Sequence, residues 1–253
     1  MKLPPFVPND LRQLLRFVPL RGWDAVDWPP LLGSLQTLSL RFVTRRGVSR
    51  IRDEVAEAVP NIALVPHLRG LQKIADVTGE LARRETGDDI LRLYFSQWLV
   101  DEGLFIDLRS SAFGLDRDGV LHFHPNGLWI QLRPDFRAGM LALYRSFYSS
   151  DEVAFETALR LMGLLPPGLP DTAGEELKAL LHSHFGVAQN AQRFSIDQFK
   201  DSFDHLFSFF IKHNYRLHSD FIFVGFYLIT LYLTLEEGGQ AHDVRQICSD
   251  VLL

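Results

Sequence analysis

Apolar residues recur with a helical period over most of the chain. Ile90, Leu91, Tyr94, Phe95, Trp98 and Leu99 form one stripe, and Phe199, Phe203, Leu206, Phe207 and Phe210 form another. Side chains three and four residues apart share a helix face, so each set predicts an amphipathic helix with its apolar side turned to a core or a partner. Residues 31–43 and 48–59 predict two more helices. So do the segments holding Leu68, Leu71, Ile74, Ala75 and Leu81, then Met140, Leu143, Tyr144, Phe147 and Tyr148, and finally residues 241–251. Residues 221–235 are almost uniformly apolar. A run of about 15 residues falls short of the roughly 20 that span a bilayer, so it predicts a buried helix.

Polar residues and helix breakers punctuate this pattern. Six prolines in residues 1–30 predict an irregular arm with one short helix over 10–17. Arg45-Arg46-Gly47 separates two helices, and Thr86-Gly87-Asp88-Asp89 has the composition of a helix N-terminus. Ser149-x-x-Glu152, Thr172-x-x-Glu175 and Ser195-x-x-Gln198 match the capping box, and Gly163 marks a helix end. Residues 166–172 are the best linker candidate.

One stretch departs from the helical pattern: GLFIDLRSSAFGLDRDGVLHFHPNGLWIQLRPDFR, residues 103–137. Asp116-Arg117-Asp118-Gly119 is a turn signal between short apolar runs at 103–106 and 120–123, which predicts a small β-hairpin. A loop-rich insert on a helical scaffold is where a site is expected. The pattern as a whole predicts a predominantly α-helical α+β fold. Residues 1–85 form a proline-containing arm with helices, and residues 86–253 form a helical domain around a central hairpin at 103–132.

Composition narrows the function class. Net charge is −5, which does not suggest a general nucleic-acid binder. Residues 1–52 nevertheless carry nine Lys or Arg against three Asp, a net of +6, leaving −11 for the rest. Such asymmetry suits an acidic partner or an anionic membrane surface, and also plain solvated helix faces. A single cysteine, Cys248, excludes an intramolecular disulfide and fits a reducing compartment; its apolar neighbours predict a packed thiol. The proline-bearing N-terminus lacks the apolar core of a secretion signal.

The central stretch resembles the catalytic segment of the UbiB/AarF group of atypical protein-kinase-like proteins. Gly103-Leu104-Phe105 matches its opening, Asp107 falls on the catalytic aspartate, and Asp116-Arg117-Asp118-Gly119 on the hairpin turn. Gly127 falls on the glycine of D-F-G, and Leu132 and Arg137 on the leucine and arginine that follow. Downstream, Ser150-Asp151 with Leu161-Met162-Gly163-Leu164-Leu165 and then Tyr215 to Phe221 are similar to later segments, so the likeness covers residues 86–235. The resemblance implies a second lobe like that of a kinase and a link to isoprenoid-quinone metabolism and membrane surfaces.

It also implies lost catalysis. Kinase-like phosphoryl transfer holds Mg²⁺ with an Asn and the D-F-G Asp. Those positions are Ala112 and Pro125 here, neither of which offers a side-chain ligand. Residues 1–85 hold only two lysines, Lys2 and Lys73, with no K-x-G-Q motif and no glycine-rich loop. The expectation is a non-catalytic binding or regulatory protein with no cofactor. It would be cytoplasmic or peripheral at the inner face of a membrane, with a protein or lipid partner and Asp107, Arg109, His122, His124 and Asn126 as ligand-binding candidates.

Two alternatives stand beside it. His122-x-His124 on a strand would place both imidazoles on one face, and with Asp107 they could hold a transition metal for hydrolytic or redox chemistry. A plain helical interaction module is the other. His182-x-His184 on a helix would not converge, Ser110 and Ser111 identify no nucleophile on their own, and Arg109 beside them could meet an anion.

Overall fold

The computed structural model describes residues 7–18, 21–149, 151–165, 168–185 and 191–253. Among these, the chain runs α1 (Asn9–Leu15), α2 (Trp28–Thr44), α3 (Val48–Ala58), β1 (Ala63–Leu64), β2 (Gln72–Lys73), α4 (Glu80–Ser96) and β3 (Leu104–Phe105). It continues through β4 (Phe113–Leu115), β5 (Leu121–Phe123), β6 (Trp129–Ile130), α5 (Pro134–Ser149), α6 (Glu152–Leu161) and α7 (Asp171–Phe185). It closes with β7 (Gln192–Arg193), α8 (Ile196–Lys212), α9 (Ser219–Gly238), β8 (Ala241–His242) and α10 (Val244–Leu252). The architecture is mostly helical with small sheets, an α+β arrangement.

Local chemistry sets several boundaries. Pro29 and Pro30 sit in the first turn of α2, where a missing N–H costs nothing, so α2 starts three residues earlier than predicted. Arg45 and Gly47 adopt left-handed backbone (φ 52° and 81°) and separate α2 from α3. Ser195 caps α8, its hydroxyl accepting from the Gln198 N–H. At α6 the cap is Asp151, which accepts from the Ala154 N–H at 3.0 Å. The predicted box put Ser149 in that role, and its side chain lies outside the described residues, as do Pro166 and Pro167 of the linker candidate. Gly163 (φ 73°) ends α6, and the Leu164 N–H reaches back to the Leu159 carbonyl.

Four expectations are corrected. Residues 68–79 form no α-helix: Gly70 takes φ 81°, Gln72–Lys73 is drawn into a sheet against Gly114 and Leu115, and only Ile74–Asp76 makes a short 3-10 turn. Thr86-Gly87 does not open a helix; α4 runs through it from Glu80. Residues 241–242 form a strand before α10 rather than part of that helix. The hairpin partner of β5 is β4, not residues 103–106, because β3 instead pairs with β6.

Gly87 has a specific reason to be there. A glycine inside a helix costs about 1 kcal/mol relative to alanine. Here a β-carbon would collide with the His242 ring, lying 2.7 Å from its Nε2. The helix gives up propensity to admit a buried imidazole.

The four-stranded sheet has the order β1-β5-β4-β2, with β1 parallel to β5 and the other pairs antiparallel. Its outer strands come from residues 1–85 and its inner hairpin from residues 86–253, so one sheet crosses the boundary expected at residue 85. The aromatic stripe of α8 is buried in full, which makes it core.

α9 lies at the centre of the core. Among the described residues it is the one helix long and apolar enough to cross a membrane, its 20 residues exceeding the run predicted, yet 67% of its most apolar window is buried inside the protein. Two of its hydroxyls bond the central stretch directly. Thr230 Oγ1 donates to the Ile106 carbonyl (2.8 Å) and accepts from the Leu108 N–H (3.1 Å). Thr234 Oγ1 donates to the Leu108 carbonyl at 2.7 Å. Gln97 accepts from the Phe105 N–H and donates to the Tyr227 hydroxyl, each at 2.7 Å. Burial pushes the Tyr227 and Tyr94 hydroxyls above their ordinary range.

Thr230→Val keeps the shape and removes the hydroxyl, leaving the buried Leu108 N–H and Ile106 carbonyl unpaired. The expected loss is about 1–3 kcal/mol, read as a lower urea midpoint at unchanged m-value.

Candidate functional site

The central stretch brings together the residues on which the resemblance rests. β3 and β6 pair antiparallel, Phe105 opposite Trp129, and the Ile106 N–H extends the ladder to the Leu128 carbonyl. Gly103 is needed at the start of β3, since a β-carbon there would strike the Ile130 carbonyl. Asp107 therefore leaves one strand where Asn126 enters the other.

Asp107 is only 3% exposed, and its carboxylate is fully engaged. Arg109 grips it in a fork, Nε to Oδ1 at 2.8 Å and Nη2 to Oδ2 at 2.6 Å, while the Arg109 backbone N–H reaches Oδ1 at 3.2 Å. Asn126 donates to Oδ2 through its amide nitrogen, and its own oxygen accepts from the Leu128 N–H at 3.0 Å. Gln13 of α1 accepts from Arg109 Nη1 at 3.3 Å and holds the guanidinium from outside. Three of the sequence candidates thus form one network.

The other two face elsewhere. His122 Nε2 meets Asp116 Oδ2 at 3.0 Å, and Asp116 Oδ1 accepts from the Asp118 and Val120 N–H groups, each at 2.9 Å. That network closes the hairpin turn, with Gly119 at φ 80°. The His122 hydrogen bond and then the turn amides hold the Asp116 carboxyl below the ordinary aspartate range. His124 Nδ1 bonds the Val65 carbonyl at 3.0 Å and ties β1 to β5. His122, His124 and Asp107 do not converge, and among the described residues no group of three His, Cys, Asp or Glu does.

The Mg²⁺ of the resembled family does not fit this set. Hard cations need oxygen ligands with free lone pairs. Both Asp107 oxygens are spent on one guanidinium and two amides. Ala112 is buried between the Arg109 carbonyl and the His124 N–H, and the buried Pro125 has no ligating atom.

Several remaining candidates are structural. Burial pushes the Cys248 thiol up to about 12, so it is protonated and packed. His182 stacks between Phe147 and Phe155, and the side chain of His184 lies outside the described residues. Sequence reasoning missed Gln13, Gln97, Tyr227, Thr230 and Thr234. Tyr227, Thr230 and Thr234 stand at i, i+3 and i+7, a hydroxyl stripe in an otherwise apolar helix, and that spacing was the available signal.

Comparison of the chain with protein-family models and with curated proteins yields no match.

Arg109→Met removes the partner of a buried carboxylate while keeping most of the packing. The expected cost is about 3 kcal/mol in denaturant unfolding, and adding Asp107→Asn to that variant recovers part of it.

Proposed function

We propose that this chain is a non-catalytic, kinase-like binding protein. The observation that carries the proposal is the state of Asp107. The residue at the catalytic-aspartate position is buried and forked by Arg109, and it serves as the joint between two backbone segments. A carboxylate that positions a nucleophile must present a free oxygen to substrate. This one presents none.

The order of parts supports the kinase-like reading. An aspartate precedes a short hairpin, a segment in the D-F-G position follows it, and the flanking strands β3 and β6 pair. The metal-ligand positions hold Ala112 and Pro125. A phosphoryl transferase would need both replaced by oxygen donors from elsewhere.

A binding role needs a surface, and the α2–α3 corner supplies one. Leu40 and Val43 are 60% and 74% exposed at the end of α2, and the exposed Arg45 and Arg46 follow at once. Arg41 lies over the Trp129 ring at 3.7 Å, which fixes this corner to β6. Exposed apolar side chains beside arginines with no acidic partner among the described residues suit an anionic lipid surface, where each basic residue near the membrane contributes about 1 kcal/mol.

Calorimetry and thermal shift with ATP, with and without Mg²⁺, test the first claim. The expected result is no Mg²⁺-dependent stabilisation, whereas a ligand at 100 times its Kd would add about 2.7 kcal/mol. Turnover of ATP that Asp107→Ala abolishes overturns the proposal. Sedimentation with vesicles tests the corner. Binding to phosphatidylserine-containing vesicles that Leu40→Asp/Val43→Asp removes supports it, and equal binding by wild type and variant sinks it.

A further inference from the structure

A second polar constellation lies away from Asp107, in a pocket of about 80 Å³. Its walls come from the turn before α4 (Ile74, Val77), the first half of α4 (Arg83, Thr86, Gly87), Ser110, the end of α9 (Thr234, Glu237) and His242. A single water needs roughly 10–15 Å³ of such space, so the pocket has room for a group of several heavy atoms.

The molecule has arranged an imidazole at this wall. His242 is 1% exposed, and its Nδ1 meets Asp88 Oδ1 at 2.7 Å. In the neutral imidazole, a carboxylate on Nδ1 favours the tautomer with the proton there, and Nε2 is then a lone-pair acceptor. Nε2 has no partner among the described residues. The ring reaches this position only because residue 87 is glycine. A buried imidazole, its orienting carboxylate and a mid-helix glycine are three departures from an ordinary helix–strand packing, and all three serve the same ring.

Two donors face the same space. Arg83 is anchored through Nε to the Val77 carbonyl at 2.8 Å, and no acidic side chain pairs with its guanidinium among the described residues. Ser110 brings a hydroxyl from the turn that follows Arg109. Glu237, an exposed carboxylate, also borders the pocket and disfavours a fully ionised ligand close to it.

We propose that this pocket binds a singly protonated phosphate group, as the hydrogen phosphate dianion or as the monoanionic head of a phosphomonoester. The match is by proton count. Such a group carries one P–OH, which donates to His242 Nε2, and unprotonated oxygens, which accept from Arg83 and Ser110. Sulfate has the same shape and no proton to give at neutral pH, so Nε2 would face it lone pair to lone pair. The inference is independent of the kinase-like reading, because it uses neither Asp107 nor the α2–α3 corner.

The test is titration of the full chain with inorganic phosphate, methyl phosphate and sulfate at neutral pH. It is followed by calorimetry and by the NMR signal of the His242 Cε1–H. The expected result is saturable binding of phosphate or methyl phosphate that moves the His242 signal, with sulfate at least about tenfold weaker. Preference between the first two separates free phosphate from an ester head. Arg83→Gln, a change at an exposed guanidinium, is expected to weaken phosphate binding about tenfold with an unchanged melting temperature. Gly87→Ala is expected to displace the ring and lose both the signal change and the binding. The proposal is overturned by absence of a saturable response at millimolar phosphate, by sulfate binding as tightly, or by Arg83→Gln binding phosphate like wild type.

Discussion

The structure depends on how one irregular, buried piece of backbone is satisfied. Residues 105–108 run through the core with little sheet to pair with, and an unpaired buried amide or carbonyl costs as much as a lost hydrogen bond or more. The solution is a set of side chains reaching in from two helices. Gln97 answers Phe105, and Thr230 and Thr234 answer Ile106 and Leu108. With that backbone fixed, Asp107 has one position, Arg109 and Asn126 close on it, and β3 meets β6. The apolar helix α9 is therefore more than filler. Its length and composition resemble a membrane span, but two of its threonines, Thr230 and Thr234, are directed at a single loop.

The helical part of this fold was legible because its signal is local and redundant. Five apolar residues of α8 at helical spacing need no information from elsewhere, and all five are buried. Arg45-Arg46-Gly47, Ser195 and Gly163 work through their own backbone, so they too could be read directly. The misreadings share a cause. Leu71 and Ile74 keep helical spacing, but sheet pairing with β4 took their segment. Gly87 has the look of a helix boundary, but a ring from more than 150 residues away required it. The strand at residues 103–106 was visible; its partner was not, because nothing in a run of two or three residues encodes which of two neighbours it will pair with.

The candidate site divides the same way. Asp107 and Asn126 were both read as ligand-binding candidates, but their direct hydrogen bond was not foreseen. Arg109 was read as a loop cation beside two serines, whereas its alternation with Asp107 turned it into a clamp. His122 and His124 do share a strand face, but each has a nearer purpose, one in the turn network and one on the β1 carbonyl. A pair of imidazoles is a metal site only when a third ligand has nothing better to bond, and here the third ligand is the most fully occupied carboxylate in the stretch.

The interleaved sheet has a consequence for how the chain is made. Its outer strands β1 and β2 leave the ribosome before the hairpin, and each is two residues long and pairs, among the described residues, with a strand of that hairpin. Only when residues 113–123 follow can the hairpin form and accept a strand on either side. Local structure such as α2 and α3 can form early, while the segment between residues 63 and 73 waits on a template synthesised some 50 residues later. This sheet is therefore completed from the middle outward, around the β4–β5 hairpin.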